Sequence, residues 1–157
     1  MTTATDALRL EHQLCFAVYS AAHAFTRFYR PLLAQLGVTY PQYLVLLVLW
    51  EADGLSVGDI GERLLLDSGT LTPLLKRLEK LQLLTRRRAT DDERRMVVSL
   101  TDKGRALQQV AGAFPANVHA ASHCDAADLD AMRQALVDLR DKLDAATASA
   151  AALPELR

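Results

Sequence analysis

Cysteine is scarce in this chain: Cys15 and Cys124 are the only two in 157 residues. So few, in a chain with no leader, argue against a disulfide framework and suit a reducing compartment. The opening stretch MTTATDALRLEHQ has no apolar core behind basic residues, so secretion is not expected. The longest apolar run, YLVLLVLWEA, is too short to span a bilayer. A cytoplasmic location with no membrane partner follows as the expectation. Also missing are a phosphate-binding glycine loop, a nucleophile elbow and an HExxH motif, which leaves a dedicated enzyme little to work with. No internal repeat is visible. Nor is there an excess of charge, since 18 Lys and Arg face 19 Asp and Glu for a net of −1.

What is present is more informative. Half the residues are hydrophobic and 24% are charged, which excludes disorder over most of the length. The length suits one domain, or a subunit that shares its core with a partner. The charge is unevenly spread. From Lys76 to Arg105 there are ten Lys and Arg against five Asp and Glu, while the rest of the chain holds eight against fourteen. A basic segment in an otherwise acidic chain is either a solvated face or a phosphate-binding footprint.

Periodicity decides between them. Leu8, Leu14, Val18, Ala22, Phe25 and Leu33 give a long helical pattern over residues 7–34, with Cys15 well inside it and Pro31 marking a kink or an early stop. Gly37 suits a helix C′ position, and Thr39 before Pro41 suits the start of a short apolar helix ending at Asp53–Gly54. Ser56 with Asp59 resembles a capping box, and Asp67 or Ser68 opens a segment in which Leu71, Leu74, Leu75 and Leu78 recur. Two short helices around LLLDS form a helix-turn-helix pattern. LLTRRRA and RRMVVSL then read as two strands around the polar turn TDDE. Thr101 caps another helix, which Pro115 interrupts or kinks. A last amphipathic helix runs from about Asp125 to Ala148, with Leu129, Met132, Leu136, Leu139 and Leu143 on one face.

A helix-turn-helix followed by a basic two-stranded ribbon is a winged helix in outline. The fold class is therefore mainly α with a small β wing. The expected organisation is an N-terminal helix over 1–40, a winged helix over 41–101, C-terminal helices over 102–150, and a low-complexity tail over 151–157. The second helix of the pair would enter a major groove of double-stranded DNA with Ser68, Thr70, Thr72 and Pro73 toward base edges and Lys76 and Arg77 toward phosphates. Arg86, Arg87, Arg88, Arg94 and Arg95 flank a turn suited to a minor groove.

The run LTPLLKRLEKLQLLTRRRATDDERRMVVSLTDKGRAL resembles the DNA-binding core of MarR-type regulators, with a D-x-R…V-x-L-T-x-x-G pattern at Asp92, Arg94, Val98, Leu100, Thr101 and Gly104. The resemblance covers roughly residues 10–145. It implies a homodimer joined through N- and C-terminal helices, bound to a pseudo-palindromic operator with one winged helix per half-site. The terminal helices are apolar enough to need a partner, and a two-fold protein matches a two-fold site.

Within that family, LCFAVYSAAHAFTRFYRPLLAQLGVTYPQYLVLLVLWE and LLDSGTLTPLLKRLE look like the organic-hydroperoxide-sensing branch. That likeness implies Cys15 as the redox sensor, oriented by the hydroxyls of Tyr29 and Tyr40, with Tyr19 as a further candidate. Phe16, Phe25 and Phe28, with Leu14, would form an apolar pocket for the tail of an organic hydroperoxide. Cys124 falls where two-cysteine members carry a resolving thiol. Fourteen residues on one helix separate Cys15 from Tyr29 by roughly 21 Å, so they can meet only across a dimer of antiparallel first helices. No cofactor is implied. His12, His23, His119 and His123, even with Cys124, Asp125 and Asp128, lack convincing metal-ligand spacing. Two alternatives stay open: a regulator released by a small aromatic ligand, and a thiol peroxidase.

Overall fold

The computed structural model describes residues 4–90, 92 and 94–149. The proposed tail over 151–157 lies outside the described residues. The chain divides into two compact units, one ending at Gly112 and one beginning at Ala113.

The first unit opens with α1 (Ala4–Ala7) and a 3-10 turn (Leu10–His12), and α2 then runs from Leu14 to Ala34. The single helix expected over residues 7–34 is thus broken, and Cys15 sits in the first turn of α2 rather than inside a longer helix. Side chains explain the break. Gln13 is extended (φ −86°, ψ 117°), and its side-chain amide donates to the carbonyls of Ala7 (2.6 Å) and Arg9 (3.2 Å). Local bonds of this kind compete with the helix for the backbone. Pro31 does not stop α2, which continues to Ala34. Gly37 follows with φ +69°, the left-handed residue expected after a helix.

Helix α3 (Tyr40–Glu51) starts with Pro41 in its first turn, and the Gln42 side chain accepts from the Thr39 N–H at 2.9 Å. Tyr43, Val45, Leu46, Val48 and Leu49 are all buried. A helix that is apolar on nearly every face belongs at the centre of a core. Helix α4 (Val57–Leu64) is capped by Ser56, whose hydroxyl accepts from the Asp59 N–H at 3.1 Å. The turn into α5 (Ser68–Lys80) is tight. Leu65 takes the left-handed conformation, and a Cβ on Gly61 would stand 2.8 Å from the Leu66 carbonyl oxygen. Only glycine lets the backbone approach so closely. Ile60, Leu71, Leu75 and Leu78 bury the inner faces of the pair against the α3 leucines. Each such side chain contributes about 1.5–3 kcal/mol by leaving water.

The wing strands β2 (Leu84–Arg88) and β3 (Met96–Leu100) pair antiparallel in a register running from Leu84 opposite Leu100 to Arg88 opposite Met96. A third strand was not expected from sequence. It is β1 (Leu55–Ser56), which pairs with Val97 and Val98, so β3 is central in the order β1-β3-β2. Helix α6 (Asp102–Ala111) is capped by Thr101, which accepts from the Gly104 N–H at 3.1 Å.

The second unit contains α7 (Phe114–Ser122), begun by Pro115, and α8 (Ala126–Ala148), whose cap Asp125 accepts from the Asp128 N–H at 2.8 Å. Along α8 no residue is buried, and Met132, Leu136 and Leu143 are exposed. Among the described residues, no helix is long and apolar enough to cross a membrane.

Candidate nucleic-acid interface and thiol site

The outer side of α5 carries Ser68, Thr70, Pro73, Lys76 and Arg77, all exposed, while Thr72 is half-buried. Pro73 lies inside the helix and removes the bond that would end on the Gly69 carbonyl. The cap residue Asp67 accepts from the Thr70 N–H (2.8 Å) and from its hydroxyl (3.0 Å). These bonds hold the Asp67 carboxyl below the usual carboxylate range. They also commit the Thr70 hydroxyl proton inward, so it offers DNA only lone pairs. The Asp67 carboxylate puts a negative charge at the helix tip, and the cations of the outer side, Lys76 and Arg77, stand further along.

The wing arginines do not form one class. Arg86 is turned inward onto Glu79: its Nε and Nη2 donate to one carboxylate oxygen at 3.0 and 2.7 Å, and its backbone N–H donates to the other at 3.0 Å. That carboxylate takes one edge of the Arg86 guanidinium and sets it apart from its exposed neighbours. Glu79 answers with a lowered pKa, set first by its bond from the Arg86 side chain. Arg87, Arg88, Arg94 and Arg95 are exposed. The turn that presents them is held by Asp92, whose side chain accepts from the Arg94 N–H (3.0 Å) and whose carbonyl accepts from the Arg95 N–H (2.9 Å). Beside the turn, Arg86, Arg94 and Arg95 line a concave site of about 550 Å³ with Asp92, Thr72 and the N-terminus of α4 at Ser56–Gly58. Three arginines against one aspartate leave the lining of that site cationic on balance.

The thiol site is divided. Cys15 is exposed, and the N-cap of its helix, Gln13, makes no side-chain cap bond. Tyr19, one turn on, stacks with Phe16 at 6.5 Å between ring centroids and meets His23 at 4.4 Å. Phe25 is exposed, and Phe28 packs edge-on to Tyr29 at 5.9 Å. Tyr29 and Tyr40 come together at 5.4 Å. Cys15 does not join them within this chain, because it shares the continuous helix α2 with Tyr29 and stands about 21 Å along it. Both cysteines are free; half-buried Cys124 precedes α8, with its N–H donating to the Ser122 hydroxyl at 3.3 Å.

Sequence reasoning missed Tyr43. It is 4% exposed and packs on Tyr29 at 5.6 Å and Tyr40 at 6.4 Å. Its position in an apolar run disguised it as ordinary core. Burial raises the pKa of all three phenols, Tyr43 to about 12, with Tyr29 and Tyr40 adding to the effect on Tyr43. They therefore remain O–H donors at neutral pH. Below pH 10 folded and unfolded chains are equally protonated at these groups. Above it the unfolded chain loses protons first, so stability should fall between about pH 10 and 12. Urea midpoints across that range should show the fall, and Tyr43→Phe should flatten it.

Residues 27–110 match the family described as transcriptional regulator SarA/Rot. The HTH-type transcriptional regulator TtmR of Methylorubrum extorquens (strain PA1) is 53% identical over 144 residues, covering 92% of this chain and 74% of the relative. The organic hydroperoxide resistance transcriptional regulator of Bacillus subtilis (strain 168) is 46% identical over 138 residues, covering 88% of this chain and 94% of the relative. Among solved structures, reduced AbfR bound to DNA matches with a TM-score of 0.73 at 37% identity, covering 90% of this chain and 97% of that one. The disulfide-formed state of AbfR, a protein of Staphylococcus epidermidis, matches at 0.61 and 40% identity, covering 86% and 95%. The chain belongs to the SarA/Rot family of transcriptional regulators, MarR-like winged-helix proteins.

Proposed function

We propose that this chain is a cytoplasmic, redox-responsive repressor whose reduced form binds a pseudo-palindromic DNA operator as a homodimer and whose release is triggered by organic hydroperoxide at Cys15. It acts as a regulator and not as an enzyme. The observation that carries this conclusion is the meeting of the Tyr29 and Tyr40 rings at 5.4 Å, a pair of phenolic donors that Cys15, on the same helix as Tyr29, does not reach within its own chain. A partner's Cys15 supplies one if the two copies of α2 run antiparallel. The exposed apolar side chains of α2 (Leu14, Phe16, Val18, Tyr19, Phe25) and of α8 (Met132, Leu136, Leu143) support that dimer, since such surface is rarely left in water.

In the chemistry that follows, the Cys15 thiolate attacks one peroxide oxygen. The O–O bond breaks, an S–O bond forms, and an alkoxide leaves to be protonated as the alcohol. Sulfur loses two electrons to the peroxide and becomes a sulfenic acid. Two phenolic O–H groups stabilise charge on sulfur without adding a cation, and Phe16, Phe25 and Phe28 offer the organic tail an apolar surface. Condensation with the Cys124 thiol of the partner expels water and leaves a disulfide. On the DNA side Ser68, Thr72 and Pro73 face base edges, Lys76 and Arg77 hold phosphate, and Arg87, Arg88, Arg94 and Arg95 serve the minor groove.

The test begins with a duplex selected from a random-core DNA library by the reduced protein. Fluorescence anisotropy then follows that duplex before and after a stoichiometric dose of cumene hydroperoxide, with Cys15 followed by mass spectrometry. Release together with oxidation of Cys15 is expected. Retention with Cys15 oxidised overturns the proposal. Release by an aromatic carboxylate but not by peroxide favours a ligand-responsive regulator, and thiol-driven turnover without any selected duplex favours a peroxidase.

A further inference from the structure

Helix α3 joins two places that function requires to communicate. Its first turns carry Tyr40 and Tyr43, packed on Tyr29. Its last turn carries Trp50, the only tryptophan in the chain. Ten residues of helix separate Tyr40 from Trp50, about 15 Å. The Tyr43 ring meets the Trp50 ring edge-on at 6.2 Å, so aromatic contact runs along the helix without a gap.

At the far end the indole N–H donates to the Gly104 carbonyl at 2.9 Å. Gly104 belongs to the root of the wing. Its own N–H is held by Thr101, and the Leu83 carbonyl oxygen that lies against its α carbon accepts from the Thr101 N–H at 3.1 Å. Strand β2 begins immediately after Leu83, and β3 ends immediately before Thr101. Just beyond α3, Asp53 accepts from the Leu100 N–H at 2.8 Å and pairs with Arg105. Arg105 also donates to the Leu100 carbonyl at 2.9 Å. The Asp53 cluster has several donors and tolerates small shifts. The indole has one N–H and one acceptor, and such a bond weakens steeply with misalignment.

We propose that Trp50 is a positioning residue that transmits displacement of the Tyr29–Tyr40 pair to the root of the wing, through its ring contact with Tyr43 and its hydrogen bond to Gly104. This rests on the redox function proposed above. A buried helix packed at both ends moves as a body. A shift of the tyrosines therefore reaches Trp50 and loosens the junction that sets the wing's angle to α5.

Hydrogen exchange on the intact protein tests this, in reduced form and after stoichiometric tert-butyl hydroperoxide, with Cys15 oxidation followed by mass. In the wild type, oxidation should speed exchange in residues 83–88 and 96–105 by roughly fivefold, the weight of one lost hydrogen bond. Trp50→Phe keeps a ring and loses the donor. It should oxidise at Cys15 as fast as the wild type, yet show the same exchange in both redox states. A wild-type difference that persists in Trp50→Phe overturns the proposal, as does an oxidised wild type whose wing root is unchanged. Should Trp50→Phe not fold, the native fluorescence of Trp50 decides. Emission should change on oxidation of the wild type and not of Cys15→Ser, and constant emission overturns the role. Failure of the hydroperoxide to oxidise Cys15 at all overturns the redox function itself, and the mass measurement distinguishes that result.

Discussion

Cys15→Ser is expected to hold its selected duplex through a dose of organic hydroperoxide that strips the wild type from it. A serine hydroxyl is nearly the size of the thiol but cannot be oxidised by a peroxide. The site is exposed and lies in the first turn of α2, where a polar side chain is well tolerated. Its stability should therefore stay within about 0.5 kcal/mol of wild type. Reduced affinity should be unchanged, because α5 and the wing are built from other residues. The contrast is thus one of response alone, read by anisotropy before and after oxidant. Release of Cys15→Ser at the wild-type dose would move the sensor to Cys124 or to a bound ligand. Slow but complete release would mean that Cys15 accelerates a switch it does not itself carry.

Gly104→Ala should be as damaging to the fold as Cys15→Ser is to the response. An added Cβ would lie 2.0 Å from the Leu83 carbonyl oxygen and 3.0 Å from its carbonyl carbon. Both are backbone atoms, and that oxygen is already bonded to the Thr101 N–H, so neither can step aside cheaply. Thr101 is itself tied to both sides: its hydroxyl donates to the Gln82 carbonyl at 2.7 Å and accepts from the Gly104 N–H. Relief requires α6 to leave the wing root, which would cost about 3 kcal/mol or more. A lower urea midpoint at unchanged slope would report it. A loss under about 1 kcal/mol would show that the junction opens easily, and would deprive the Trp50 bond of a rigid acceptor. The V-x-L-T-x-x-G pattern thus has a mechanical basis. Val98 and Leu100 enter the core, Thr101 caps and ties, and Gly104 permits the contact.

Much of this was legible in the chain. Ser56, Asp67 and Thr101 declare helix starts through side-chain chemistry that acts within three residues, and Leu71, Leu75 and Leu78 declare an inner face by spacing alone. What escaped depends on distant partners. Leu55 and Ser56 form a strand only because Val97 and Val98 arrive beside them. Arg86 looks like any other wing arginine until Glu79, on a different element, claims it. The break before Leu14 comes from the Gln13 amide reaching back to Ala7 and Arg9, which no apolar periodicity records. Tyr43 was hidden by its neighbours, since a phenol inside VLLVLW-like sequence counts as core until its ring partners are seen.

The wing has one more consequence, for how such proteins diversify. Its register is settled at the root, where Leu84 lies opposite Leu100 and β1 closes the other edge of β3. The backbone bond from the Ala89 N–H to the Arg95 carbonyl, at 2.8 Å, seals the hairpin above that root. Above that seal the turn is held by Asp92, through its side chain and its carbonyl. Exposed side chains of the hairpin, Arg87 among them, can therefore change charge while the scaffold beneath stays the same. A wing built in this way lets the surface it presents change without renegotiating the core.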